Sequence, residues 1–192
     1  HATIRRQRQM CIRDSKATGK PIQLVWTRED DVRHGPFRPA SLMRIRAGVD
    51  DAGNLTAWDA SRAGGNISPD IFRGLLPALY PWIGDGMVEG IANLSEWYFE
   101  KFVSDESSTW GLFEDYDHSN TRVTHMTVDH ELPLTFWRSV GHSYTAFAKE
   151  SMIDELAQAA GIDEVAFRLQ NTQNSPRLNN VIRVAGECMA NM

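Results

Sequence analysis

Two alternating segments joined by a short polar connection constrain the fold most. In residues 42–49, apolar side chains alternate with arginines along the chain. The apolar residues are Met43, Ile45 and Ala47, and the arginines are Arg44 and Arg46. This period of two is typical of a strand with one buried face. Residues 50–54 contain Gly53, which can adopt a positive backbone dihedral, and residues 55–61 resume as a second strand. The pattern predicts a β-hairpin with one apolar and one polar face.

The rest of the chain changes character along its length. Residues 22–27 carry Ile, Val, Trp and Thr, which suit a strand, and residues 121–129 alternate in the same way. Residues 64–119 are rich in Gly, Pro and aromatic residues without a sustained period, so we expect long loops with short helical turns. The chain is therefore predicted to be α+β, with strands and a hairpin in the N-terminal half, long loops in the middle and helices in the C-terminal third.

Three helices are predicted in that C-terminal third. We expect Ser143 to cap the first helix and Gly161 to end it. Asp163 caps a short second helix, and Ser175 followed by Pro176 opens a third. The apolar stripe of the third helix consists of Val181, Val184, Ala185 and Cys188.

Composition excludes several classes of protein. A chain of 192 residues with 42% hydrophobic content can bury a core, and its apolar runs are far shorter than the ~20 residues that cross a bilayer. The net charge of −5 argues against a nucleic-acid partner. The two cysteines, Cys11 and Cys188, are too few for a disulfide framework and too far apart for a zinc motif.

The first fifteen residues differ from the rest. They hold four arginines and no amphipathic period, and the run from Arg6 to Ser15 resembles the conceptual translation of a transposon end. We interpret residues 1–15 as a non-native or disordered leader without regular structure; the alternative is an ordinary flexible basic arm. Without them the remaining chain is more acidic.

Motifs that carry chemistry are sparse. There is no phosphate-binding glycine loop, nucleophile elbow or zinc-protease helix. Four histidines, His118, His125, His130 and His142, fit hydrogen-bonded or surface roles better than a metal centre, since His125 and His130 would lie on opposite faces of a strand. We therefore predict no protein-held metal.

One segment favours ligand binding. Residues 133–143 form a polar turn with a glycine between a predicted strand and a helix N-terminus, where free N–H groups and the helix dipole attract anions. A cradle for a charged ligand and a structural cap with Trp137 in the core both fit this pattern. The residues alone do not decide between the two.

Several separated motifs carry a family resemblance. Residues 23–31, 37–40, 136–143 and 150–157 resemble, in order, the molybdopterin-binding subunits of the xanthine dehydrogenase and aldehyde oxidase family, above all the isoquinoline 1-oxidoreductase β-subunit type. The resemblance covers roughly residues 17–185 and is weakest between 64 and 119. It identifies the chain as a partial segment of such a subunit.

The resemblance implies a cofactor-binding loop. The family loop reads Phe-Arg-Gly-Phe-Gly, and here the matching residues are Trp137, Arg138, Ser139, Val140 and Gly141. Arg138 would lie at the molybdenum centre, Trp137 and Val140 in the adjoining wall, and Gly141 where the backbone approaches closely. Val140 replaces the family's second aromatic residue, which puts stacking on an aromatic substrate in doubt. Arg38 matches a position where some relatives carry a catalytic arginine that orients substrate or stabilises developing negative charge.

The same resemblance implies a function. Residues 16–192 would form part of the molybdenum-cofactor-binding domain of a molybdenum-dependent oxidoreductase that hydroxylates N-heterocycles or aldehydes with oxygen from water. Molybdopterin would be the cofactor, with iron–sulfur clusters on a small partner subunit and the catalytic glutamate outside residues 1–192. Its partners would be the remaining segments of the same subunit, that small subunit and a small-molecule substrate.

This segment would be inactive alone. The resemblance leaves localisation open between the bacterial cytoplasm and periplasm. The alternative interpretation is a non-catalytic protein-interaction module that retains the fold.

Overall fold

The computed structural model describes residues 2–80, 82–103, 105–128, 132, 134, 135 and 137–190. The helices are α1 (Ala2–Thr18), α2 (Arg28–His34), α3 (Ser68–Leu79), α4 (Asp85–Lys101), α5 (His142–Ala160), α6 (Glu164–Gln170) and α7 (Pro176–Ala190), with a 3-10 turn at Glu106–Ser108. The strands are β1 (Ser41–Val49), β2 (Leu55–Gly64) and β3 (Asn120–Thr127), which form one sheet in the order β1-β2-β3. The predicted α+β class is confirmed.

The chain divides into two compact units. The first comprises His1–Ala40, Gly65–Asp105 and Thr127–Trp137, and the second Ser41–Gly64, Glu106–Met126 and Arg138–Met192. The division falls inside the predicted cofactor loop, between Trp137 and Arg138. Each unit is described by itself. The predicted boundary between residues 15 and 16 stays a prediction.

The hairpin belongs to the second unit and is confirmed. Strands β1 and β2 pair antiparallel, from Ser41 opposite Gly64 to Gly48 opposite Ala57. Gly53 takes the left-handed conformation that the turn requires, with φ of 82°. The Asn171 side chain fixes this turn, since its Oδ1 accepts from the Leu55 N–H at 2.8 Å and its amide donates to the Gly53 carbonyl at 3.1 Å.

The third strand lies beside β2. The hydrogen bonds between side chains of β3 and side chains of β2 join residues a constant 63 positions apart: Arg122 with Asp59, Thr124 with Ser61, and His125 with Arg62. A constant offset is expected for strands that run in the same direction, since opposed strands would give a changing one. The predicted strand at 121–129 is found at Asn120–Thr127, and Asp129 lies outside the described residues.

Helix α5 covers the apolar face of the hairpin. Residues Met43, Ile45 and Ala47 pack against the core, whereas Arg44 and Arg46 are exposed, as the alternation predicts. The buried core residues are Leu55, Trp58, Ala60, Leu112, Tyr116, Ile153, Leu156, Ala157 and Phe167. Burying each large apolar side chain contributes about 1.5–3 kcal/mol, so this cluster is what holds sheet and helices together.

The predicted C-terminal helices are present, with one corrected cap. Gly161 ends α5 in the left-handed conformation at φ of 70°, and the Asp163 carboxylate accepts from two N–H groups of α6. The residue at the N-cap of α5 is Gly141, without a side-chain cap. The prediction that Ser143 caps α5 is therefore wrong: Ser143 lies inside the first turn and donates to the Val140 carbonyl at 3.1 Å.

Helices α3 and α4 of the first unit form in the region where long loops with short helical turns were predicted. In α4 the buried residues are Val88 and Ala92, a stripe too narrow to give a sustained period in the sequence. Asp105, itself buried, accepts from the Ile67 N–H at 2.7 Å and the Ser68 N–H at 3.0 Å. Its carboxylate thus satisfies free donors at the start of α3.

The N-terminal region departs from prediction twice. Helix α1 spans residues for which no regular structure was expected, and that expectation is wrong; the Cys11 sulfur accepts from the Leu24 N–H at 3.0 Å. Residues 22–27 alternate in exposure but form no strand, and Thr27 instead caps α2 through a reciprocal bond pair with Asp30. An alternating pattern predicts a strand only where a ladder partner exists. The non-native origin of residues 1–15 stays a prediction.

Candidate functional site

The predicted cofactor loop reaches α5 through an unusual backbone. Ser139 and Val140 have φ of 71° and 46°, in the left-handed region. Such values are uncommon outside glycine, and least expected for a β-branched residue. Each residue held in that region costs on the order of 1–3 kcal/mol unless its surroundings impose it. Since the family loop has glycine where Ser139 stands, this departure adds strain at one position.

Gly141 is where the loop meets its support. A Cβ added at this buried glycine would lie 2.5 Å from the Ser107 carbonyl oxygen and 3.3 Å from both the Ser108 carbonyl carbon and the Trp110 nitrogen. A side chain cannot fit there without moving backbone. The space beside Gly141 is thus filled by the backbone of residues 107–110, and the close approach to a cofactor that the resemblance implies stays a prediction.

The first turn of α5 binds the same segment through hydrogen bonds. The Tyr144 hydroxyl donates to the Ser108 carbonyl at 3.1 Å. The buried Thr145 hydroxyl lies 2.5 Å from the Trp110 carbonyl and 3.0 Å from the Gly141 carbonyl. We call residues 107–111 the supporting segment. Because its carbonyls are held by side chains of α5, it fixes the start of the helix and therefore the loop before it.

A buried arginine lies behind this turn. Arg62 is 1% exposed, and its guanidinium carbon lies 5.0 Å from the centre of the Tyr144 ring. It donates to Ser41 Oγ at 3.1 Å and lies 3.2 Å from His125 Nδ1. Since a guanidinium only donates, Nδ1 of His125 is the acceptor in this contact.

Sequence reasoning missed Arg62. The available signal was its position on β2, two residues after Ala60 and four after Trp58, on the face that the alternation places inward. Fully buried arginines are rare, and a charged residue at an inward position should have been singled out.

Two further predicted positions lie in the first unit. The Trp137 indole donates to the Pro36 carbonyl at 3.3 Å. Phe37 forms a parallel bridge with Leu134, and the Thr135 N–H donates to the Phe37 carbonyl at 2.9 Å. The structure therefore brings the stretch that ends at Arg38 next to the one that ends at Trp137. At 42% exposure Trp137 is not a core residue.

The donors at the loop suit an anionic group. Arg138 is exposed, and a guanidinium offers five donors in a planar fork that matches oxyanions. Within the described part of the chain, no group of three or more His, Cys, Asp or Glu residues could hold a metal ion. His130, one of the four histidines considered, lies outside that part. What the loop can do is hold and orient a negatively charged ligand.

Comparison with known proteins finds relatives that match most of this chain. No family model matches the chain. It is 27% identical over 173 residues to the isoquinoline 1-oxidoreductase subunit beta of Brevundimonas diminuta, covering 90% of this chain and 19% of that one. It is 27% identical over 163 residues to the aldehyde oxidoreductase molybdenum-binding subunit of Escherichia coli K12, covering 84% and 18%. The chain spans about a fifth of the length of these relatives.

A solved structure supports the fold. Aldehyde oxidoreductase from Desulfovibrio gigas matches with a TM-score of 0.53 and 17% identity, over 83% of this chain and 15% of that one. The predicted resemblance is confirmed: the chain is related, as a partial segment, to the molybdenum-binding subunits of aldehyde oxidoreductases and to the isoquinoline 1-oxidoreductase beta subunit. Of these relatives, the Escherichia coli subunit is named as molybdenum-binding. Among the described residues, no helix is long and apolar enough to cross a membrane.

Proposed function

We propose that this chain is part of the large subunit of a molybdenum hydroxylase, which oxidises N-heterocycles or aldehydes with water as the oxygen source. The observation that carries the proposal is the loop at residues 138–141, which presents Arg138 at the surface while its last residue is locked onto the supporting segment. A fixed loop with an exposed cation is what an anionic cofactor requires.

Molybdopterin fits this loop in charge and in donor type. Arg138 would hold an anionic oxygen of the cofactor through its guanidinium donors. Bound molybdopterin would supply the oxygen transfer and accept the substrate's electrons. The protein residues named here contribute position and charge. Iron–sulfur clusters on a small partner subunit would carry the electrons away.

Arg38 and Trp137 have proposed roles on the substrate side. Both are exposed and follow paired backbone segments of the first unit, so their positions are fixed by hydrogen bonds and not by packing alone. Arg38 would orient substrate or stabilise negative charge that develops on it. Trp137 would form part of the pocket wall. Val140 carries an aliphatic side chain in place of the family's aromatic one.

The test is to express the complete reading frame with its iron–sulfur partner and to measure bound molybdenum and turnover of isoquinoline and an aldehyde. Product from ¹⁸O-labelled water should carry the label. The isolated 192-residue chain should hold no stoichiometric molybdenum, because its share of the contacts is small. A complete subunit that binds no molybdenum and has no glycine-rich or glutamate-bearing flanking segment would instead favour a non-catalytic interaction module.

A further inference from the structure

The open face of the sheet carries a cluster of arginines that the proposed function does not use. Helix α5 covers one face, and the opposite face presents a cavity of about 180 Å³ lined by Arg44, Arg46, Asp59, Ser61 and Arg122. All five belong to the second unit. Three cations and one carboxylate leave a local charge of about +2 on a chain whose net charge is −5.

Strand register arranges these residues in two rows across the sheet. In the first row Asp59 lies opposite Arg46 and receives two hydrogen bonds from Arg122, at 2.9 and 2.6 Å. These bonds hold the pKa of Asp59 below its ordinary value. The positive charge of the first row is therefore partly neutralised by Asp59, and Arg122 is held in a defined position.

The second row has no carboxylate. Ser61 lies opposite Arg44 and accepts a hydrogen bond of 2.8 Å from Thr124 Oγ1. Because Ser61 Oγ accepts from Thr124, its own proton is available to donate to a ligand. Within the described residues, the guanidinium groups of Arg44 and Arg46 have no hydrogen bond or ion pair, although both lower the pKa of Asp59 through their charge. These two arginines are separated by two positions on β1, a spacing of roughly 7 Å that a tetrahedral oxyanion can bridge.

We propose that this face binds a phosphate group, held by Arg44 and Arg46 with the Ser61 hydroxyl as a third donor. A phosphate dianion matches the local charge, and its oxygens accept the paired donors of a guanidinium better than a carboxylate of single charge does. Arg122 contributes charge at the edge while it stays bound to Asp59. The inference is independent of the molybdenum proposal, because the loop at residues 138–141 takes no part in it.

Calorimetric titration of the 192-residue chain with inorganic phosphate, at ionic strength held constant with chloride, tests the site. We expect saturable binding at one site, weakened about tenfold or more by Arg44→Ala or Arg46→Ala. Arg177→Ala removes an exposed arginine of α7 and should leave binding unchanged. Asp59→Asn should tighten binding, since its amide oxygen still accepts from Arg122 while the repelling charge is gone.

The expected pattern depends on position and on ligand shape. Acetate should bind much more weakly than phosphate, and a phosphate ester as tightly as inorganic phosphate would extend the site to esters. Absence of saturable binding would overturn the proposal. Equal losses of phosphate affinity in Arg44→Ala and Arg177→Ala would overturn it as well, because they would show only a general effect of net charge. Circular dichroism on each variant confirms the fold, which these exposed side chains do not support.

Discussion

The Tyr144 hydroxyl donates a hydrogen bond to the backbone carbonyl of Ser108 at 3.1 Å. Through it, the first turn of α5 holds the segment that supports the predicted cofactor loop. The ring of the same tyrosine lies under the guanidinium of the buried Arg62. Tyr144 therefore couples the loop support to the inward face of β2.

Tyr144→Phe tests the value of that hydrogen bond. The ring and its contact with Arg62 remain, while the Ser108 carbonyl loses a donor, so the free energy of unfolding should fall by about 0.5–1.5 kcal/mol. Urea denaturation of the 192-residue chain measures it. Tyr98→Phe is the control, because Tyr98 is exposed on α4 and its hydroxyl has no hydrogen bond among the described residues. Equal effects of the two changes would contradict the coupling.

Gly141→Ala tests the contact between the loop and its support. The added methyl group would meet backbone at residues 107–110, so we expect a loss of about 1–3 kcal/mol. Gly90→Ala is the matched comparison: it lies in α4 with open space around it and should gain roughly 1 kcal/mol from helix propensity. Thermal melting should show a lower melting temperature for Gly141→Ala and a higher one for Gly90→Ala. A stable Gly141→Ala chain would show that the loop is not held against residues 107–110.

Ser139→Gly restores the glycine of the family loop and should relieve strain. Ser139 is exposed with φ of 71°, so the change loses little packing and should stabilise the chain by about 1 kcal/mol. Ser143→Gly, inside α5, should instead destabilise it by a similar amount. Denaturation midpoints that fall for both would mean that the left-handed conformation at Ser139 is not strained.

Parts of this fold were predictable because the signals are local. The hairpin follows from alternation and a turn glycine at Gly53, and the ends of α5 and α6 follow from Gly161 and Asp163, whose effects reach only a few residues. Helix α4 was missed because its buried stripe is narrow. Arg62 was missed because its partners, Ser41 and His125, are brought together only by the sheet.

In the candidate site, too, local features could be predicted from the sequence and long-range contacts could not. The motif at residues 137–141 predicts a cofactor loop from sequence because the order of the family motifs is kept in this segment, and that role stays a prediction. That Gly141 approaches residues 107–110 could not be predicted, because the two stretches are separated by about thirty residues without a pairing signal. The left-handed backbone conformation of Val140 could not be predicted either, because valine disfavours that conformation.

Tyr116 gives a pH-dependent prediction. Burial, followed by the neighbouring Glu150, raises the pKa of Tyr116 well above its ordinary value. Because the folded pKa exceeds the unfolded value of about 10, the neutral phenol's contribution is complete below about pH 10 and is lost as pH rises toward the folded pKa. Tyr116→Phe should therefore lose less stability than the parent chain between about pH 9 and pH 11. The free energy of unfolding is measured by urea titration across that range. Parallel pH dependences for Tyr116→Phe and the parent chain would contradict the prediction. As a control, Tyr98→Phe should follow the pH dependence of the parent chain.

Arg138→Ala in the complete subunit with its partner tests the central claim most directly, with molybdenum content, melting temperature and turnover measured on one preparation. If Arg138 holds the anionic cofactor, turnover should fall by about 10²–10³, roughly 2.7–4 kcal/mol in the barrier, while the melting temperature of the protein changes little. Arg177→Ala should change neither. Normal turnover with normal molybdenum content in Arg138→Ala would remove this residue, and with it the loop at residues 138–141, from the site.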